Sequence, residues 1–406
     1  MRVKALVGAA ALWVAPDVLY GQFDFHIDGK EVQLHSFASQ GFAYSNQNNY
    51  LTMMTSQGSF AMTDGGADIA AQLTDHLRVG AQIYVRNIGN LGNWHPVVDW
   101  AFADYRFRDW FGVRAGRVKT TLGLFNETQD NESLHTWALM PQSVYPLDLR
   151  GSNISHDGGD LYGAIPLVRL GHLEYTVYGG RRVCDEHEGP ALDIRDYGLI
   201  MQSEWGTVAG ADLRWETPLK GLQVGASHAG YTHDDRVLGL PNSLLPGNLA
   251  GHYNKNYTNG FYFEYSAGRL SLYGEYQRYW SDYVMSVIDS QGNQIPAVRS
   301  ASDSRTWYTA ISYRIFRHLE VGTYHSRFYG DWRQPHSAND NHLFDQTLTA
   351  RVDLNSHWHV KVEGHFMDGA PTGLAGGNLH GFYIGVNPNG FQPTTNLLVI
   401  RTGITF

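Results

Sequence analysis

The sequence predicts an all-β fold, a transmembrane antiparallel up-and-down β-barrel of 16 strands, and three observations carry that expectation. Apolar and polar residues alternate with period two in segment after segment along the chain. Short and long connections between those segments alternate strictly, which gathers all tight turns at one end of a barrel and all long loops at the other. The composition is poor in charge, yet it holds no apolar run of about 18 residues from which a spanning helix could form.

The pattern is clearest in 396–406. Leu398, Ile400, Ile404 and Phe406 fall on one side of an extended chain, and Leu397, Val399, Arg401, Gly403 and Thr405 on the other. An apolar face ending in an aromatic, backed by a face carrying arginine, suits a wall with lipid outside and water inside. A terminal Phe in this pattern resembles the closing strand of bacterial outer-membrane barrels, where it also serves as an assembly signal. That resemblance implies a partner in the barrel-assembly machinery, engaged through the strand ending in Phe406.

Composition fits the same wall. Charged residues make up 17% of the chain, against about 25% in soluble domains. Gly, at 45 of 406 residues, is abundant, and aromatics reach 13%. A mean hydropathy of -0.33 fits a wall that is apolar on alternate residues only. The net charge of -9 argues against a general nucleic-acid partner. Cys184 is the only cysteine, so no disulfide forms within the chain.

Arg2 and Lys4 precede the apolar run Ala5 to Val14, which reads as a secretory signal over 1–21 with cleavage near Gly21. An uncleaved core helix is the alternative. Residues 22–31 are then a lead-in and 32–406 the barrel.

Strands are expected at 32–44, 60–73, 76–87, 97–107, 111–119, 159–166, 171–181, 203–216, 221–232, 257–267, 269–281, 304–316, 318–330, 342–354, 357–367 and 396–406. Most have the ~9–11 residues that a tilted strand needs to cross a bilayer. Short turns such as Thr74-Asp75 and Asn355-Ser356 alternate with long connections at 45–59, 88–96, 120–158, 182–202, 233–256, 282–303, 331–341 and 368–395. The short turns are assigned to the periplasm and the long loops to the exterior.

Energetics fixes the phase of each strand. In 357–367, Trp358, Val360, Val362 and Phe366 alternate with His359, Lys361, Glu363 and His365. A lysine facing lipid near the midplane would cost about 2–4 kcal/mol, so the second set faces the lumen. The same reasoning turns Leu77, Val79, Ala81, Ile83 and Val85 outward, and Arg78, Gln82, Tyr84 and Arg86 inward. So many charges inside require a water-filled interior. The phase falters at Asp64 and Asp68 and at Arg117, where a bulge or a position beyond the lipid band is expected. Aromatics at strand ends, among them Tyr105, Phe107, Trp110, Tyr313 and Phe316, suit interfacial girdles.

The run Gly116-Arg117-Val118-Lys119-Thr120-Thr121-Leu122-Gly123 leads into the longest loop. With the strand count and the terminal Phe, it resembles the DcaP-like and phosphate-selective (porin O/P) outer-membrane porins, which carry a Gly-Arg-x-Lys-x-x-x-Gly stretch before their third extracellular loop. Where that pattern has a proline before Leu122, this chain has Thr121. The resemblance implies a homotrimeric diffusion channel in the outer membrane of a Gram-negative bacterium, with 120–158 folded inward as a constriction loop.

Barrels of 16 strands leave an aqueous channel too wide to discriminate by size, so selectivity falls to the inserted loop and the wall it faces. Arg78, Arg86, Arg106, Arg114, Arg117, Lys119 and Arg401 are the wall candidates, and Glu127, Asp130 and Glu132 the loop candidates. Opposed charges across a narrowing orient dipolar solutes, and more bases than acids lean towards anions. The alternative for each residue is an ion pair that merely ties the loop to the wall.

Catalytic patterns are weak. Gly225-Ala226-Ser227-His228-Ala229 lacks the last glycine of a nucleophile elbow and lies within a strand. Cys184-Asp185-Glu186-His187-Glu188 groups metal-ligand types in a polar loop, and His156-Asp157-Gly158-Gly159-Asp160 reads as a turn. No cofactor, catalytic residue or metal ligand is assigned. The function expected is passive diffusion of small hydrophilic or anionic solutes across outer-membrane lipid, without enzymatic activity. An outer-membrane barrel enzyme and a secreted all-β binding protein remain the alternatives.

Overall fold

A computed structural model describes residues 22–27, 29–334, 339–371 and 380–406. The expected signal segment lies outside the described residues. The strands are β1 Gln22–Ile27, β2 Lys30–Ser45, β3 Ser59–Gln72, β4 Leu77–Ile88, β5 Val97–Arg108, β6 Phe111–Lys119, β7 Ser155–Pro166, β8 His172–Arg182, β9 Leu199–Trp205 and β10 Thr207–Glu216. They continue with β11 Leu222–Tyr231, β12 Asp234–Gly239, β13 Gly247–Ala267, β14 Leu270–Ile288, β15 Gln294–Phe316, β16 Leu319–Tyr329, β17 His342–Asp353, β18 Trp358–Asp368 and β19 Thr394–Thr405.

All 19 belong to one antiparallel sheet, which closes where β19 pairs with β2 through Ile400 and Phe42. Closure removes the open edges that hydrocarbon could not satisfy. The wall itself has 16 strands, because β9 with β10 and β11 with β12 are each one interrupted strand. Gly206 separates the first pair and Thr232-His233 the second, while β9 still pairs with β12 above the β10–β11 ladder.

The remaining strand, β1, lies within the expected lead-in. Residues 22–27 pair with Lys30–His35 of β2, just beyond the point where Ser36 and Phe406 exchange backbone hydrogen bonds. β1 therefore prolongs the seam that β19 has vacated.

Side-chain phase follows the energetic expectation. His359, Lys361, Glu363 and His365 are buried inside, and Trp358, Val362 and Phe366 are exposed outside. Ile83 and Leu348 are likewise exposed and outward, at 57% and 58%. Leu398, Ile400, Ile404 and Phe406 share the outer face of β19, whereas Leu397, Val399 and Arg401 are buried behind it. Tyr105, Phe107, Trp110, Tyr313 and Phe316 are exposed at the short-turn end.

Four expectations are corrected. The connections at 233–256 and 282–303 are mostly strand: β12 to β15 continue well above the neighbouring wall and leave only 240–246 and 289–293 as loops. Above the lipid both faces meet water, so period two vanishes from the sequence although the ladder persists. Loop 182–202 holds a helix, Gly189–Asp196, and gives way to β9 at Leu199. Residues 156–160 form strand rather than a turn, so the inserted loop ends at 154. Gly158 and Gly159 serve close strand packing there, since a Cβ on Gly158 would lie 2.2 Å from the Gly179 carbonyl oxygen. Finally, Asp64 and Asp68 need no bulge. The register slips nearer the loop end of β3, between the Gly41–Met62 and Ala43–Ser59 pairs.

The outward, mid-wall position of Leu348 gives a direct test of the lipid-facing phase. Leu348→Arg should lower the stability of the barrel in phospholipid vesicles by about 2–4 kcal/mol. Reversible urea unfolding measures it, and an unchanged midpoint would mean that this face does not meet hydrocarbon.

Candidate functional site

Lys119 and Ser155 are directly paired across β6 and β7, so a tight hairpin would suffice to join them. Instead 120–154 leaves the wall and folds into the barrel. Its neck is closed by Thr120 N–H donating to Ile154 O at 2.9 Å, and by the Asn126 amide donating to Thr120 O and Asn153 O at 2.7 and 2.9 Å. Gly123 turns the chain at φ +73°, and a Cβ there would come within 2.0 Å of Glu275 Oε1, so any other residue would be strained and would displace Glu275.

A loop without regular structure has backbone groups to satisfy, and inside a barrel the wall must supply the partners. It does so around the whole circumference. On one side Gly123 N–H donates to Ser227 Oγ at 2.9 Å, and Arg214 donates to Gly123 O at 3.1 Å. On the far side Glu363 accepts from the N–H groups of Ala138 and Leu139 at 2.9 and 2.8 Å. Arg351 donates to Ser133 O and His135 O at 2.6 and 2.9 Å, and Arg401 to Ala138 O at 2.8 Å. Arg86 donates to Leu147 O at 2.6 Å and pairs with Glu188. Between these ties Trp137, Val144 and Tyr145 pack on Tyr308 and Tyr324 of the wall, forming an apolar cluster within the lumen.

Charge burial is matched at each anchor. Glu132 lies 2.6 Å from Lys361 Nζ and 2.8 Å from His359 Nε2, and Lys361 also donates to Trp137 O at 3.0 Å. Asp130 accepts from Lys119 at 2.8 Å and from Gln82 at 2.6 Å. Arg150 pairs with Asp99 and lies 3.8 Å over the Tyr84 ring. Each ion is held by several donors or acceptors, the condition under which a buried pair is tolerated at all.

The ten sequence candidates therefore separate into three groups. Arg86, Lys119, Asp130, Glu132 and Arg401 bind loop to wall, the role held open as their alternative. Arg78, Arg106 and Arg114 stay partly exposed on the lumen side of β4, β5 and β6, with Glu127 of the loop nearby. Arg114 pairs with Asp160 at 2.9 Å and lies 4.9 Å over the Tyr162 ring, whose hydroxyl donates to Asp104 at 2.6 Å. Glu127 is 3.3 Å from Arg214. Arg117 is the exception: it pairs across the ladder with Ala101 and Asp157, on the face shared with exposed Tyr105 and Leu161, and so points out of the barrel. There it binds Asp157 at 2.7 Å, and Asp157 also binds Arg181 at 3.0 Å. Its registry is regular; the expected bulge is absent.

Sequence reasoning missed the acidic part of the lumen. Glu174, Glu216 and Glu264 project inward from β8, β10 and β13, partly exposed, about a quarter turn from the three arginines. It also placed Lys361 and Glu363 inside without giving them a site. Their alternation on one strand was the available signal; their partners on the loop were not visible.

Two motifs resolve into structural roles. Ser227 is buried, donates to Asp212 and accepts from the loop, while His228 points to the opposite face, so the two do not meet. In the acidic loop Asp185 holds His187 at 2.9 Å and Glu188 turns away to Arg86.

Two carboxyls cap the loop side of the assembly. Burial pushes Asp148 up to about 6, against the pull of Gly381 N–H at 2.8 Å and the Tyr383 hydroxyl at 3.1 Å. Burial, reinforced by Asp196 and Asp148, pushes Asp193 up to about 7.

No family model matches the sequence, and no characterised protein matches it by sequence. Solved structures do match. The outer-membrane protein OmpT of Vibrio cholerae superimposes with a TM-score of 0.58 at 9% identity, covering 95% of this chain and 100% of that one. An anion-selective porin from Comamonas acidovorans gives 0.55 at 12% identity, covering 93% and 100%. The outer membrane channel DcaP of Acinetobacter baumannii gives 0.53 at 10%, covering 94% and 99%. The chain is similar to these over nearly its full length, and it has the fold of outer-membrane porins.

Two measurements test the anchoring. Glu132→Gln leaves Lys361 buried without its counter-ion and should cost about 3–5 kcal/mol, whereas Glu132→Leu with Lys361→Met should recover much of that loss. Unfolding midpoints of the three proteins decide it. For the raised carboxyls the sign is fixed by their unfolded value of 3.8. The native state holds protons that the unfolded chain releases, so their contribution is complete below about 4 and is lost as pH rises through 6 and 7. Hydrogen exchange in 189–197 and 380–387, corrected for intrinsic rates, should be slower at pH 5 than at pH 8. Asp193→Asn should flatten that dependence.

Proposed function

We propose that this protein is an outer-membrane porin, a water-filled channel through which small hydrophilic solutes diffuse passively, with a lean towards anions. The observation that carries the reading is the inserted loop, pinned on every side of a closed barrel above a vestibule lined by partly exposed charge. A wall alone would leave a hole too wide to discriminate. With the loop fixed, solutes pass charges held in place: Arg78, Arg106 and Arg114 on one side, Glu174, Glu216 and Glu264 further round. Fixed opposed charges orient dipolar solutes at no reorganisation cost. The arginines line the turn end of β4 to β6, below the inserted loop, and the anion lean rests on them.

Passive transport is also favoured over catalysis by the Ser227 geometry. The residue best placed by sequence to act as a nucleophile is spent on tying the loop. The partners that go with this reading are outer-membrane lipid, the barrel-assembly machinery at the strand ending in Phe406, and two further copies of the chain. The Vibrio cholerae barrel has a trimer form. Here the outer faces of β3 to β6 carry small residues, Ala67, Ala81, Ala101, Ala103 and Ala115, beside the outward ions of Arg117, Asp157 and Arg181. A neighbouring subunit would cover those ions better than hydrocarbon does.

Conductance in planar bilayers under a salt gradient tests selectivity. Arg78→Gln with Arg114→Gln should shift the reversal potential towards cations and lower the anion-to-cation permeability ratio at least about twofold. Arg86→Gln should leave the potential alone and destabilise the loop instead. Equal shifts from both variants would remove the vestibule arginines from the selectivity assignment.

A further inference from the structure

The outer surface of the tall wall carries charge at a particular depth. On β15 the outward residues run from exposed Phe316 and Tyr313 at the turn end, through exposed Ile311, to half-buried Trp307. At about 3.3 Å per residue and a tilt near 40°, Phe316 to Trp307 spans roughly 23 Å, close to the apolar band of about 25 Å of an outer-membrane barrel. Trp307 stacks on Tyr329 of β16 at 5.5 Å, and Trp332 meets Tyr329 edge-on at 5.0 Å. These rings mark the upper boundary of the hydrocarbon.

Three arginines sit at that boundary on the same outward face. Arg278 and Arg305 are directly opposed across β14 and β15, and Arg327 opposes Trp307 across β15 and β16. Like charges directly opposed destabilise a ladder. One carboxylate, Asp303, lies between the first two, 2.7 Å from Arg278 and 3.2 Å from Arg305. Arg327 meets His325 at 3.0 Å and lies 4.3 Å over the Phe344 ring, and neither partner carries a negative charge. Nearby Arg299 and Arg333 are each matched, by Asp282 and Asp331. Among the described residues the patch thus keeps two positive charges in excess, aimed outward where lipid headgroups lie, above the apolar surface of Phe261, Tyr276 and Ile311.

Resting on the outer-membrane reading, we propose that Arg278, Arg305 and Arg327 form a binding site for the phosphate groups of an outer-leaflet lipid, its acyl chains lying on the apolar wall below. Guanidinium groups take phosphate oxygens in bidentate fashion, and the tryptophans hold the patch at headgroup depth.

Native mass spectrometry of the full chain in detergent, titrated with diphosphorylated lipid A, tests this. The wild-type protein should retain that lipid at least about tenfold more tightly than the dephosphorylated lipid. Arg278→Gln with Arg327→Gln should lose the difference, while Lys220→Gln, in a turn at the other end of the barrel, should keep it. Heat-modifiable migration confirms that each variant is folded, and Arg327→Gln alone, which breaks no ion pair, should already weaken retention. Equal retention of both lipids, an unaffected double variant, or displacement of the lipid by an equal concentration of inorganic phosphate would each overturn the proposal. Retention does not depend on conductance: loss of ion flow with lipid binding intact would overturn the channel reading alone.

Discussion

An unpaired charge is costly against hydrocarbon and costly in a crowded interior; the architecture of this chain answers both demands at once. The first turns every second residue of each strand inward. The second then determines what those residues do. Lys361, Glu363, Arg351, Arg401 and Arg86 are driven inside by the lipid, and 120–154 supplies the carboxylates, carbonyls and N–H groups that match them. The loop gains the hydrogen bonds that its irregular backbone needs, and the wall gains counter-ions. Each supports the other in this form.

This reciprocity divides the lumen by function. Charges consumed in anchoring are mostly buried and paired, as Glu132 is with Lys361 and His359. In the proposed channel the charges that would meet solutes are those that the loop does not tie down: Arg78, Arg106 and Arg114, and the glutamates on β8, β10 and β13. Rigid placement is what lets the second group act, since a mobile charge would reorient with each passing ion. The outer surface divides in the same way. Small residues cover β3 to β6, whereas basic and aromatic residues crowd the upper edge of the tall wall.

Much of the barrel was legible in the sequence, because period two is the direct imprint of a wall with lipid on one side. Where that asymmetry ends the imprint ends too, so the upper parts of β13, β14 and β15 read as loop. Gly158-Gly159 misled for a different reason: glycine marks a turn and a close backbone approach alike, and only the neighbouring Gly179-Gly180 distinguishes them. Residue type located the inward charges but could not tell a group that anchors the loop from one that does not. That distinction depends on the path of 120–154, which carries no periodicity. Arg117 was assigned to the pore on charge alone, although its own strand phase, set by Val113 and Ala115, had turned it outward.

In the proposed channel a loop fastened across the lumen, and not the width of the wall, sets what is admitted. Replacing 121–153 by a short Gly-Ser hairpin between β6 and β7, with folding confirmed by heat-modifiable migration, isolates that claim in a single-channel recording. If the loop sets the passage, conductance rises severalfold and ion preference weakens, as expected of an unobstructed barrel of this strand number. Conductance unchanged from that of the intact protein would contradict it.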